Sequence, residues 1–141
     1  MNLLPSILNL LPSSLVYAHC DIPCGIYDPH NAQLAAKTVL TMVQKLKELT
    51  INNDQLTMNN FIRMVNVKEE HAELCKREIL ILWTDYFKAE HLEAHPDLHE
   101  TIWKTAKLCS ENKRHIDEDL ANQLVESVDK VAQIFASTKK A

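Results

Sequence analysis

A chain of 141 residues, 46% hydrophobic and 24% charged, is long enough for one domain with a real core and has the balance of an ordinary soluble protein. Its net charge of −4 leaves no basic footprint for nucleic acid. One glycine and five prolines leave few residues for tight hairpins, which argues against an all-β fold.

Residues 1–18 hold no charged side chain and are rich in leucine. Pro5 and Pro12 interrupt the apolar run, so the segment is too short and too broken to span a membrane. Val16 and Ala18 fit the small-residue pattern before a signal-peptidase cut, but the positive n-region of a secretory signal is missing. His19 stands before Cys20, where a lipoprotein would need a small residue. Residues 1–18 are read as a removable pro-segment of a cytoplasmic protein, with secretion the weaker alternative. A cut behind Ala18 makes His19 the first residue and frees its amine.

The stretch His19-Cys20-Asp21-Ile22-Pro23-Cys24-Gly25-Ile26-Tyr27 gathers an imidazole, two thiols and the single glycine of the chain. Pro23, Gly25 and Pro29 forbid regular structure, so residues 19–29 form an irregular hook. Asp21 and Asp28 are read as turn formers, Asp28 also as the cap of a helix that starts near His30 or Asn31. That helix has a seam of Ala35, Val39, Met42, Leu46 and Leu49, stepping by four and three.

Asn52-Asn53-Asp54 breaks the first helix and can cap a second, expected from Gln55 to Phe87, with seam Met58, Ile62, Val65, Ala72, Cys75, Ile79, Leu82, Trp83 and Tyr86. This helix is longer than its partners, and its overhang suits a contact with other subunits. Lys88 to His95 is read as a polar connection. A third helix carries Leu98, Ile102, Ala106 and Cys109, with a polar break over Ser110–Arg114; a fourth carries Leu120, Leu124, Val128, Val131 and Phe135. The fold class is all-α: an up-and-down four-helix bundle over residues 30–141 behind the hook. Cys75 and Cys109 are read as buried thiols, since a protein of this length needs no disulfide staple.

Two thiolates beside an imidazole form a ligand set for a late transition metal. After cleavage the His19 amine and the Cys20 backbone nitrogen close a chelate ring, which suits nickel or copper in square-planar surroundings. Zinc would want a fourth side chain, for which His30 is available. Electron-rich donors of this kind also stabilise a higher oxidation state, pointing to redox work.

His19 to Pro29 reads H-C-x-x-P-C-G-x-Y-x-P, and in this the chain resembles the nickel-containing superoxide dismutase family. Lys68–Leu74, Leu82–Lys88 and Thr138–Ala141 also look similar to family segments, so the resemblance covers residues 19–141. It implies a four-helix bundle assembled as a homohexamer, with one nickel ion per subunit cycling between its divalent and trivalent states. The reaction it implies is disproportionation of superoxide to dioxygen and hydrogen peroxide. The implied ligands are the amine and imidazole of His19, the amide and thiolate of Cys20, and the thiolate of Cys24. Tyr27 is implied to screen the open face, with Tyr86 near it. A dedicated peptidase is implied to remove the pro-segment. The family's glutamate and arginine that support the axial imidazole are replaced here, by position, by Ala35 and His71; His71 is the candidate substitute.

The acidic protein must draw an anionic substrate by local positive charge. Lys88 is the first candidate, Arg63 and Lys68 the lesser ones. His91, His95 and His99 are read as solvated rather than as a second metal site, because Pro96 interrupts their spacing; His115 carries no signal. No membrane or nucleic-acid partner is expected. Two other classes stay open: a nickel- or zinc-binding module without turnover, and a helical interaction protein with a Cys20–Cys24 disulfide.

Overall fold

The computed structural model describes residues 26–52 and 54–139. Within them every regular element is helical: α1 (His30–Glu48), α2 (Gln55–Ile81), a π-helical turn (Leu82–Tyr86), α3 (Ala89–Ala94), α4 (Leu98–Arg114) and α5 (Glu118–Thr138). The four long helices pack in a ring, α1 on α2, α2 on α4, α4 on α5 and α5 on α1. Cross-links fix their directions. Gln33 reaches Asp129 and Lys47 reaches Glu118, while Lys76 reaches Ser110 and Thr105 meets Ser127. Neighbours are thus antiparallel, as the expected up-and-down bundle requires. The start of α1, the π-helical turn, the start of α4 and the end of α5 share one end of the bundle. Among the described residues no helix is long and apolar enough to cross a membrane.

The helix starts follow local chemistry. Asp28 Oδ1 accepts from the His30 amide at 2.7 Å, and the α1 ladder opens with Gln33 N–H to Pro29 O. Asp54 accepts from both the amide and the hydroxyl of Thr57, which holds its carboxyl below the ordinary value. Asp117 accepts from the amides of Asp119 and Leu120. Each carboxylate satisfies amides that the first helical turn leaves without partners.

The core lines the expected seams, with shifts. On α1, Ala32, Ala35, Ala36, Val39, Val43 and Leu46 are buried; Val43 takes the place expected for Met42, and Leu49 falls outside the helix. Ala121, Leu124, Val128, Val131, Ile134 and Phe135 bury the face of α5. Cys75 and Cys109 are buried and unbridged, one on each of two facing helices. The hydrogen bond with Cys109, followed by burial, pushes the Cys75 thiol far above the ordinary thiol range, which leaves it protonated and inert.

Four expectations are corrected. The second helix does not run regularly to Phe87: the Phe87 amide bonds to Leu82 O at 2.9 Å, a wider turn that holds one extra residue. The segment Lys88–His95 contains α3 rather than a bare connection. Ser110–Arg114 is no break: it continues α4 to its last residue. Asn112 Nδ2 donates to Leu108 O and Leu120 O, and the Ser110 hydroxyl donates to Ala106 O. Finally, Met58 and Ile62 are exposed. The first residue buried on α2 is Lys68, at 1% exposure.

Lys68 explains how α4 ends. Its Nζ donates to the carbonyls of Asn112, Lys113 and His115, the last two at 2.9 and 3.1 Å. This cation sits at the negative end of the α4 dipole and bonds carbonyls that lack helical partners. A lysine borrowed from another helix thus caps the end of α4. Burial lowers its ammonium below the ordinary lysine value.

Candidate metal centre

His19, Cys20 and Cys24 lie outside the described residues. The chemistry of that donor set, soft thiolates with imidazole, fits a late transition metal such as nickel. Among the described residues no cluster of three or more histidine, cysteine, aspartate or glutamate side chains is able to hold a metal ion.

The first described segment begins at Ile26 and leads at once to Tyr27, which packs half-buried on the edge of the core. Its ring meets that of Tyr86 with centroids 5.7 Å apart and planes inclined by 54°. The two tyrosines named from the sequence are therefore brought together, one just before α1 and the other just after α2. The widened turn Leu82–Tyr86 makes this possible. It keeps Leu82 buried, lets Trp83 Nε1–H donate to His99 Nδ1 at 2.7 Å, and turns Tyr86 toward the end of α5.

Tyr86 is packed on several sides. Phe135 lies 4.4 Å away by ring centroids, Phe87 meets it edge-on at 5.2 Å, and the His91 ring stacks nearly parallel at 5.7 Å. Its hydroxyl lies 2.7 Å from Thr138 Oγ1, and Lys139 Nζ stands 4.5 Å above the Phe135 ring. A cation over an aromatic face is held by the ring quadrupole. The same ammonium makes a long contact of 3.4 Å to the Tyr27 carbonyl.

The remaining sequence candidates fall elsewhere. Lys88 is exposed just after the turn that carries Tyr86, its amide donating to His91 Nδ1 at 3.2 Å. Lys68 is no steering cation, because it is spent on the end of α4. Arg63 is exposed on the opposite half of α2. The three spaced histidines have separate partners: His91 on Tyr86, His95 on the Ser137 hydroxyl at 2.9 Å, and His99 on Trp83. Ala35 is packed in the core at 1% exposure and offers no polar group. His71 is half-buried, with Nδ1–H donating to Val67 O at 2.8 Å; this leaves Nε2 as an acceptor. Fifteen residues separate it from Tyr86, about 22 Å at the helical rise. The structure does not bring His71 to the tyrosine pair.

Sequence reasoning missed the contributions of α5 and of His91. Phe135 was legible only as a core residue. Thr138 and Lys139 follow it by three and four, the spacing that shares one helix face, which is the signal that links them to the same end of the bundle.

The family model described as nickel-containing superoxide dismutase matches residues 14–139, a span that includes His19, Cys20, Cys24, Tyr27 and Tyr86. The chain is 37% identical over 130 residues to the superoxide dismutase [Ni] of Streptomyces seoulensis, covering 92% of this chain and 95% of the relative. It is 36% identical, with the same coverage, to that of Streptomyces coelicolor. A crystal structure of a nickel-containing superoxide dismutase with oxidised-state ligation superposes with a TM-score of 0.77 at 36% identity, over 87% of this chain and all of that one. With the helical bundle, the tyrosine pair and the hook sequence beside these matches, the chain belongs to the nickel-containing superoxide dismutase family.

Proposed function

We propose that His19, Cys20 and Cys24 hold the nickel ion, one per subunit, in a mature protein cut behind Ala18, and that Tyr27 and Tyr86 wall the open face of that centre. As a nickel superoxide dismutase, the enzyme converts two superoxide anions and two protons to one dioxygen and one hydrogen peroxide. Bound nickel supplies the one-electron couple between its divalent and trivalent states. The observation that carries the site reading is the Tyr27–Tyr86 pair. Tyr27 follows Cys24 by three residues, and three extended residues reach at most about 11 Å, so chain connectivity alone ties the Cys24 ligand to the neighbourhood of Tyr27.

The residues of the protein have distinct tasks. The thiolates and the imidazole bind and hold the metal. The two phenol rings, backed by Phe135, Phe87 and His91, narrow the approach so that small anions pass and larger ones do not. Lys88, exposed beside the pair, draws superoxide toward an otherwise acidic protein by local charge.

The domain reading is a pro-segment, residues 1–18, followed by hook 19–29 and bundle 30–141. A peptidase removes the first, and the mature protein works in the cytoplasm. Six copies assemble into a homohexamer. Support for assembly comes from α2, whose first half has no fully buried residue and exposes Leu56, Met58 and Ile62. Adjacent exposed apolar residues on one helix suit a protein interface.

Metal analysis tests the ligand assignment. Protein beginning at His19 is expected to hold about one nickel per subunit, and Cys20→Ser or Cys24→Ser to lose it while keeping helical circular dichroism. Full nickel content in both variants, or zinc in place of nickel in the parent, would overturn the assignment.

A further inference from the structure

We propose that Thr138, at the last turn of α5, is a positioning residue for the dismutase centre: its hydroxyl accepts a hydrogen bond from the Tyr86 phenol and fixes that ring against Tyr27. The inference rests on the reading of Tyr86 as part of the wall.

The direction of the bond follows from counting protons. Thr138 Oγ1 lies 2.7 Å from the Phe135 carbonyl, which can only accept, so the single hydroxyl proton of Thr138 goes there. The 2.7 Å contact between Thr138 Oγ1 and the Tyr86 hydroxyl then has the phenol as donor. The phenolic proton is aimed at the end of α5.

The aromatic neighbours cannot do this work alone. Phe135, Phe87 and His91 set the plane of the Tyr86 ring, but dispersion contacts are non-directional and leave the ring free to slide within it. A hydrogen bond at the ring's far tip fixes how deep the phenol sits. Lys139 adds a tie from the same turn. Its ammonium is held over Phe135 and reaches the Tyr27 carbonyl. One turn of α5 thereby touches both tyrosines, Tyr86 at its hydroxyl and Tyr27 at its backbone. A threonine whose only task was to back-bond the preceding turn would have no need of Tyr86.

The test uses nickel-loaded protein beginning at His19, with variants Thr138→Val, Thr138→Ser, Tyr86→Phe and the double variant Thr138→Val/Tyr86→Phe. Loss of one neutral hydrogen bond is expected to slow superoxide decay about fivefold in Thr138→Val. Thr138→Ser restores the hydroxyl and the rate. In the double variant the rate matches Tyr86→Phe alone, because Thr138 acts through the phenol. A second readout needs no activity. The tyrosine doublet in ultraviolet resonance Raman spectra, assigned to Tyr86 by difference from Tyr86→Phe, should move from a donor pattern in the parent to another in Thr138→Val. A wild-type rate for Thr138→Val beside a slowed Tyr86→Phe would overturn the proposal, as would additive losses in the double variant or an unmoved doublet. A full rate in Tyr86→Phe would instead remove Tyr86 from the wall, and the positioning role with it, whatever the doublet shows.

Discussion

Replacing Lys68 by methionine should destabilise the bundle strongly and leave the nickel chemistry nearly untouched. The side chain is 1% exposed and its ammonium bonds three carbonyls at the end of α4. Hydrogen bonds to charged groups contribute about 1.5–3 kcal/mol each. Two of the three carbonyls, on Lys113 and His115, lie beside solvent and can turn to water. The Asn112 carbonyl cannot, for Asn112 is itself 1% exposed, and no spare donor stands nearby: Asn112 Oδ1 has no partner among the described residues. Methionine keeps the stem's packing and regains the cost of burying the ammonium, which offsets part of the loss. The balance is about 2–4 kcal/mol, or roughly 10 °C in thermal midpoint for a domain of this size. Differential scanning calorimetry reads the midpoint, and superoxide decay below the transition reads the rate. An unchanged midpoint with a slower, salt-insensitive rate would refute the capping argument and return Lys68 to steering.

Other outcomes follow from the same geometry. Lys88→Ala should lower the rate at low ionic strength and flatten its salt dependence; equal salt slopes in variant and parent would remove Lys88 as the steering residue. His71→Ala should leave turnover and the spectrum of the oxidised nickel centre unchanged, because the structure does not bring His71 to the tyrosine pair; a slower rate with an altered spectrum would return His71 to the support of His19. Acid should weaken the fold by a defined route. Lys47 and Gln44 hold Glu118, and Lys113 holds Glu73, below the ordinary glutamate value of 4.5, and Lys130 holds Asp97 below the ordinary aspartate value of 3.8. Groups with lowered native values stabilise above the ordinary value, and that contribution disappears as pH falls through the native one. The urea midpoint should be level near neutrality and fall below about pH 4.5, with Glu118→Gln falling less steeply; equal slopes would contradict this.

The bundle was legible because its apolar residues recur at helical spacing, and the ladder Val39, Leu46, Ile79, Ile102, Leu124 and Val128 is what packs. Where the sequence misled, a polar group had found a partner far away in the sequence. Ser110–Arg114 reads as a break until Lys68, more than forty residues earlier, caps it. Lys68 itself reads as a surface charge until those carbonyls surround it. Met58 and Ile62 read as core because periodicity cannot tell an apolar face that packs from one that stays exposed. The hook's donors stand close together in the sequence and were read directly from it, and they lie outside the described residues. The cluster around Tyr27 and Tyr86 was legible only as the two tyrosines, because Phe135, His91, Thr138 and Lys139 join them by folding and not by spacing.

The decay of superoxide after pulse radiolysis, followed on nickel-loaded protein beginning at His19 and on the same protein retaining Met1–Ala18, tests the central claim most directly. Catalytic decay in proportion to bound nickel is expected from the first and none from the second. Full activity in the protein that keeps its first 18 residues, or in metal-free protein, would contradict the account.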